Sequence, residues 1–274
     1  MDEKQFSQGL LNFLNASHSM YHAVKNAKDI LLQNGFEELF EKNRWHIKAG
    51  GKYFVCRNSS SVIAFICGDE DIATNGFRII GSHTDSPGFK IKPGNCIVTH
   101  DGYVQLNTEP YGGSLMTTWF DRPLSLAGRV FIKGEGVFDM QEYLIDVDRP
   151  ILMIPNLCIH FNRNANENIS INKQTDMLPL LCLKKKDTLP SDYIIDIIKT
   201  ALKKIGIVPT NAAEDILDYE LFLYESDKGS FVGSENEFLS ASRIDNLSML
   251  YCSLIALTDS QPSKVTRIMA SFDN

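Results

Sequence analysis

Phe77-Arg-Ile-Ile-Gly-Ser-His83-Thr-Asp85-Ser-Pro-Gly88 decides how the chain is read. Phe77 to Ile80 is a short apolar run that reads as a buried strand. Pro87 and Gly88 break it, which puts His83 and Asp85 near its C-terminal end. In open α/β sheets that edge is where ligand sites form. Side chains two apart share a strand face, so these two can point the same way. A neutral imidazole is a good zinc ligand, and a neighbouring carboxylate can accept its other N–H and fix the tautomer. A hydrogen-bonded turn histidine beside an Asp-Ser-Pro turn is the competing reading. On His-x-Asp alone the turn is the better reading.

Composition narrows the class. The chain has 274 residues, 43% hydrophobic and 22% charged, which is ordinary for a folded globular protein with ample core. Its formal net charge is −7 with no basic stripe, which argues against nucleic acid as the main partner. No apolar run approaches the ~20 residues needed to span a bilayer, so no membrane partner is expected. The opening Met-Asp-Glu-Lys-Gln lacks a signal-peptide pattern. Six cysteines (56, 67, 96, 158, 182 and 252) are scattered without a Cys-x-x-Cys pair. They read as small buried thiols in a reducing cytoplasm, not as a disulfide frame or a thiolate zinc site.

Helical apolar faces run over 2–15 and 23–32, the second stopping at Asn34-Gly35. Segments 53–56 and 62–67 read as a hairpin leading to the His83 strand. That order fits the opening of an α/β sheet domain. After Pro93 the pattern becomes strand-rich, over 103–106, 125–132, 151–154 and 219–223. One amphipathic helix interrupts it, with Ser191 as N-cap and an end at Gly206. Residues 95–238 thus look like a second, β-rich domain inserted into the first, which comprises 1–94 and 239–274. The chain returns with a helix over 240–257, whose start holds Ser242 to Asp245, and a buried strand over 265–272. Read alone, Asp245 is a helix cap.

Longer stretches resemble the aspartyl aminopeptidase family of cocatalytic two-zinc metallopeptidases. Ile80-Gly-Ser-His-Thr-Asp-Ser-Pro87 looks like that family's first metal motif. Tyr111-Gly-Gly-Ser-Leu-Met-Thr-Thr-Trp-Phe-Asp-Arg-Pro-Leu-Ser-Leu-Ala-Gly-Arg-Val130 is longer and more specific. Ser242-Arg-Ile-Asp-Asn-Leu247 is similar to the second metal motif, and Ala270-Ser-Phe-Asp-Asn274 to the start of the third. The resemblance runs from about Phe13 onward, in the family's order.

The resemblance implies a mixed-sheet α/β metallopeptidase domain interrupted by a β-rich dimerisation domain at 95–238. It implies two zinc ions, with His83 and Asp245 as metal ligands, Asp245 bridging, and Asp85 the catalytic residue that orients His83. Leu157-Cys-Ile-His160-Phe-Asn-Arg-Asn164 is similar to a segment whose histidine contacts substrate in the partner's active site, so His160 is the substrate-binding candidate. A strand histidine paired within its own domain is the competing reading. The implied activity is removal of N-terminal residues from peptides, acidic ones by the family's name, in a homodimer or higher homo-oligomer. The family's two glutamates, a general base and a metal ligand, would follow Asn274. The chain is therefore expected to be the N-terminal part of a longer enzyme and inactive alone. Two other classes stay open: an inactive assembly protein of the same fold, and a related zinc amidase or carboxypeptidase.

Overall fold

The computed structural model describes residues 2–98, 102–136, 139–167, 170–261 and 263–273, with side chains for all except 94–98 and 213. The chain divides into two compact units: Met1–Ser86 with Lys228–Asn274, and the continuous run Pro87–Asp227. Asn274 and the side chain of Cys96 lie outside the described residues.

The first unit is built on a mixed five-stranded sheet in the order Glu37–Glu38, Lys52–Arg57, Ser61–Ile66, Thr266–Phe272, Phe77–His83. The central hairpin sets Cys56 opposite Val62 and Arg57 opposite Ser61. Asn58 and Ser59 turn it at φ 51° and 54°, the left-handed conformations that match strand twist in tight hairpins. Alternation sends Val62, Ala64 and Ile66 into the core. Helices Glu3–Ala16, Met20–Gln33 and Ile244–Thr258 share that core, where Leu14, Leu31, Phe54, Ala64, Leu250, Leu254 and Met269 pack together. Burial of each large side chain contributes about 1.5–3 kcal/mol. Asp2 and Gln5 close a reciprocal capping box on the first helix. Gly35, at φ 77°, follows the second.

One strand expectation changes and one holds. Phe77–His83 is not buried. It is the last strand of the sheet among the described residues, and Phe77, Ile79 and Ile80 are 52%, 62% and 46% exposed. An apolar run marks a strand, but only the sheet order says whether it is central or an edge. Thr266–Phe272 is an inner strand, in line with the buried strand expected over 265–272: it is flanked on both sides, antiparallel to Ser61–Ile66 and parallel to Phe77–His83.

The second unit is a six-stranded antiparallel sheet in the order Met140–Asp146, Leu124–Lys133, Ile216–Glu225, Gly88–Val98, Tyr103–Tyr111, Leu180–Leu183. Helix Pro190–Lys204 packs Ile194, Ile198 and Leu202 on Phe89, Leu106, Val130 and Leu221. The helix starts one residue before the expected Ser191 cap. Proline takes its first position, where no N–H is needed, and Asp192 Oδ2 accepts the Leu189 N–H at 3.0 Å. Elsewhere in the sheet, Arg129 is only 7% exposed. It donates to Glu220 Oε2 (Nε, 2.7 Å), whose Oε1 accepts from Lys90 at 2.8 Å.

The unit junctions differ from the expected 94/95 and 238/239. Residue 94 falls inside the strand Gly88–Val98, whose register shifts between Ile91 and Cys96. Pro93 lies within that irregularity, which a strand proline without an N–H requires. The break comes earlier, at Ser86/Pro87, and the small pair Ser230–Val232 with Phe238–Ser240 belongs to the first unit.

Candidate metal centre

His83 ends its strand opposite Phe272, the end of the parallel neighbour. Three hydrogen bonds fix these strand ends. The Thr84 N–H donates to Phe272 O (3.0 Å), Thr84 Oγ1 to Ser60 O (2.5 Å), and the Asp273 N–H to Ser61 Oγ (3.0 Å). The His83 ring meets Asp85, with Nδ1 and Oδ1 3.1 Å apart. The carboxylate is 11% exposed and the imidazole 58%. With Nδ1–H donated to Asp85, Nε2 presents its lone pair outward.

Asp245 is placed from the other side of the unit. The chain turns at Arg243, a non-glycine residue in the left-handed region (φ 62°, ψ 19°). Arg243 Nη2 donates to Leu14 O at 3.0 Å, so its charge sits on the C-terminal carbonyls of the first helix, where a cation is favoured. Buried Leu247, Leu250 and Leu254 then seat the helix in the core. Asp245 itself keeps a non-helical backbone (φ −83°, ψ 110°) and does not cap the helix. Its side chain is exposed. The next residue makes the connection: the His83 N–H donates to Asn246 Oδ1 at 2.9 Å.

The structure therefore brings His83, Asp85 and the Asp245–Asn246 segment to one end of one sheet. Asn246 was not singled out from the sequence, although the Arg-x-Asp-Asn pattern contains it. An outward imidazole nitrogen and an exposed carboxylate are donors that suit zinc. Among the described residues, no three His, Cys, Asp or Glu side chains converge to hold a metal ion. The residues present fit zinc as part of a coordination shell.

His160 lies in the second unit, on an exposed turn and not in a strand. The Phe161 and Asn162 N–H groups both return to Cys158 O (3.0 and 3.2 Å). Leu157, Ile159 and Phe161 around it are 62%, 46% and 82% exposed. The segment leading to this turn is pinned by the long 111–130 motif. The Asp121 N–H donates to Ile154 O, and Asp121 Oδ1 accepts the Asn156 N–H (3.0 Å). In the same motif Trp119 packs edge-on against Phe89, with ring centroids 5.0 Å apart.

Comparison with known proteins gives one result throughout. The family model for aminopeptidase I zinc metalloprotease (M18) matches residues 13–274. A probable M18 family aminopeptidase 2 of Clostridium acetobutylicum is 44% identical over 273 residues, covering 100% of this chain and 61% of the relative. Aspartyl aminopeptidase 4 of Saccharomyces cerevisiae is 36% identical over 294 residues, covering 99% of this chain and 60% of the relative. Among solved structures, the Ape4 and Nbr1 complex aligns with a TM-score of 0.91 at 36% identity, over 98% of this chain and 54% of that one. The S. cerevisiae mApe1 dodecamer aligns with a TM-score of 0.73 at 25% identity, over 97% and 60%. The chain spans about three fifths of the length of the relatives it matches. With the His-Thr-Asp strand end, the Asp-Asn helix start and this match over nearly all its residues, the chain belongs to the M18 family of aminopeptidase I zinc metalloproteases.

Proposed function

We propose that this chain serves an aminopeptidase that removes single N-terminal residues from peptides, with acidic residues preferred. The reading is supported by the His83–Asp85 pair and by the hydrogen bond from the His83 backbone N–H to Asn246, the residue next to Asp245. His83 Nε2 and the Asp245 carboxylate would hold zinc, Asp245 bridging two ions. Zinc bound there supplies a Lewis acid for the scissile carbonyl and lowers the pKa of a bound water. Asp85 keeps the imidazole in the tautomer that leaves Nε2 unprotonated. The acidic preference is supported by the name of the yeast relative, aspartyl aminopeptidase 4.

His160 is proposed to contact substrate in a neighbouring copy, as its exposed turn permits. The run 87–227 is proposed to mediate homo-oligomer formation, in keeping with the dodecamer named for the yeast mApe1 structure. A reducing, cytoplasmic setting suits the five described cysteines, all free.

The test uses the chain extended to the relatives' length with the remaining segment of the Clostridium relative. Peptides with free N-termini should lose single residues, and N-acetylated ones should stay intact. A chelator should abolish turnover and zinc restore it. His83→Ala and Asp245→Asn should each remove activity and lower zinc content. Normal turnover by either variant would sink the assignment.

A further inference from the structure

We propose that Asn246 is a positioning residue of this site: its side-chain carbonyl locks the backbone at His83 to the helix start that carries Asp245. The proposal rests on the zinc reading for its purpose, though not for its geometry.

The argument starts from strand alternation. Successive N–H groups of a strand point to opposite sides within the sheet plane. Thr84 donates its N–H to Phe272 O on the neighbouring strand, so the His83 N–H points the other way. That way lies the open edge of the sheet, since Phe77–His83 has one strand partner among the described residues. A backbone N–H there needs an acceptor or water. Asn246 Oδ1 supplies it at 2.9 Å, across 163 residues of sequence.

The acceptor is held rigidly. Asn246 is flanked by the Arg243 anchor on Leu14 O and by Leu247, which is 1% exposed. A helix whose first turn is tied down in this way cannot slide along the strand without breaking the bond. Asp245, the residue next to Asn246, therefore keeps its distance from His83. Residue choice is also constrained. An aliphatic side chain at 246 has no acceptor, and the serine hydroxyl oxygen sits one bond closer to the backbone and falls short. An aspartate would accept the bond but put another carboxylate beside Asp85 and Asp245. Asparagine gives the acceptor without the charge.

The test uses the 274-residue chain, labelled for NMR, with Asn246→Leu, Asn246→Ser and Asn246→Asp. Asn246→Leu should speed exchange of the His83 amide at least about tenfold and shift the His83 ring signals. Exchange at Met269 and Ala270, inside the sheet, should stay as in the wild type. Asn246→Ser should do the same, which keeps the test alive should the leucine variant misfold. Asn246→Asp should preserve protection of the His83 amide. A His83 amide equally protected in the leucine or serine variant, or ring signals unmoved in both, would overturn the proposal. Zinc titration of the chain extended to the relatives' length reads the metal assignment separately. Extended wild-type chain that takes up no zinc, beside a protected His83 amide in the 274-residue chain, would count against zinc while leaving the Asn246 bond established.

Discussion

Asp85 lies 3.1 Å from the His83 ring and is 11% exposed, whereas the ring it holds is 58% exposed. The supporting group is thus the sheltered one, and the supported nitrogen faces solvent. Asp85→Asn keeps the shape and removes the charge that fixes the tautomer. In the extended enzyme, zinc affinity should fall about 10–100-fold, the range for lost partners of ligating histidines. Competition against a chromophoric chelator measures it. Unchanged affinity would remove Asp85 from the site.

His160 sits on an exposed turn in the run 87–227. In the extended enzyme, His160→Ala should cut activity at normal zinc content. Mixing it with Asp245→Asn subunits should restore part of the activity, because a site built from both kinds has every group intact. Mixed oligomers no more active than the separate variants would return His160 to a role within its own subunit.

Glu220 is the main acceptor for a buried cation. Its Oε2 lies 2.7 Å from Arg129 Nε, while Glu142 Oε2 is 3.5 Å from Arg129 Nη1. Glu220→Ala should destabilise the second unit by about 3 kcal/mol, the cost of breaking one side of a buried pair. Trp119, against Phe89 in that unit, reports its unfolding by fluorescence in urea. A loss under about 0.5 kcal/mol, the size of an ordinary surface change, would mean that the pair is solvated.

Burial pushes the Cys56 thiol up to about 11, with the Glu38 charge adding to the rise and Lys28 partly opposing it. A raised acid stays protonated in the fold. Its contribution to stability is therefore complete below the ordinary thiol value and lost as pH climbs from there through about 11. At pH 8.5, iodoacetamide should modify exposed Cys158 first and half-buried Cys56 markedly more slowly. Mass spectrometry at successive times decides it. Equal rates would contradict the half-buried placement.

Much of the site was legible in the residues because its parts are local. The two-residue spacing of His83 and Asp85 puts them within reach of each other whatever surrounds them. Helix ends were legible for the same reason: Asn34-Gly35 and Gly206 act through their own backbone. Where two local signals competed, the reading slipped. Ser191 is a good cap, yet Pro190 at the first helical position and Asp192 reaching back to Leu189 set the start instead.

By itself the sequence determined the α/β character, the strand that delivers His83 and the helix start that delivers Asp245, since these rest on hydrophobic period and turn chemistry within a few residues. Only the tertiary structure decided that Phe77–His83 has a strand partner on one side alone among the described residues. Strand order is set by pairing between segments some 190 residues apart, and an apolar run looks the same with one strand partner or two. The same holds for Asn246. Its carbonyl matters because the His83 N–H faces away from Phe272, to the side without a strand partner among the described residues, and which way an N–H faces follows from which neighbour takes the next one along.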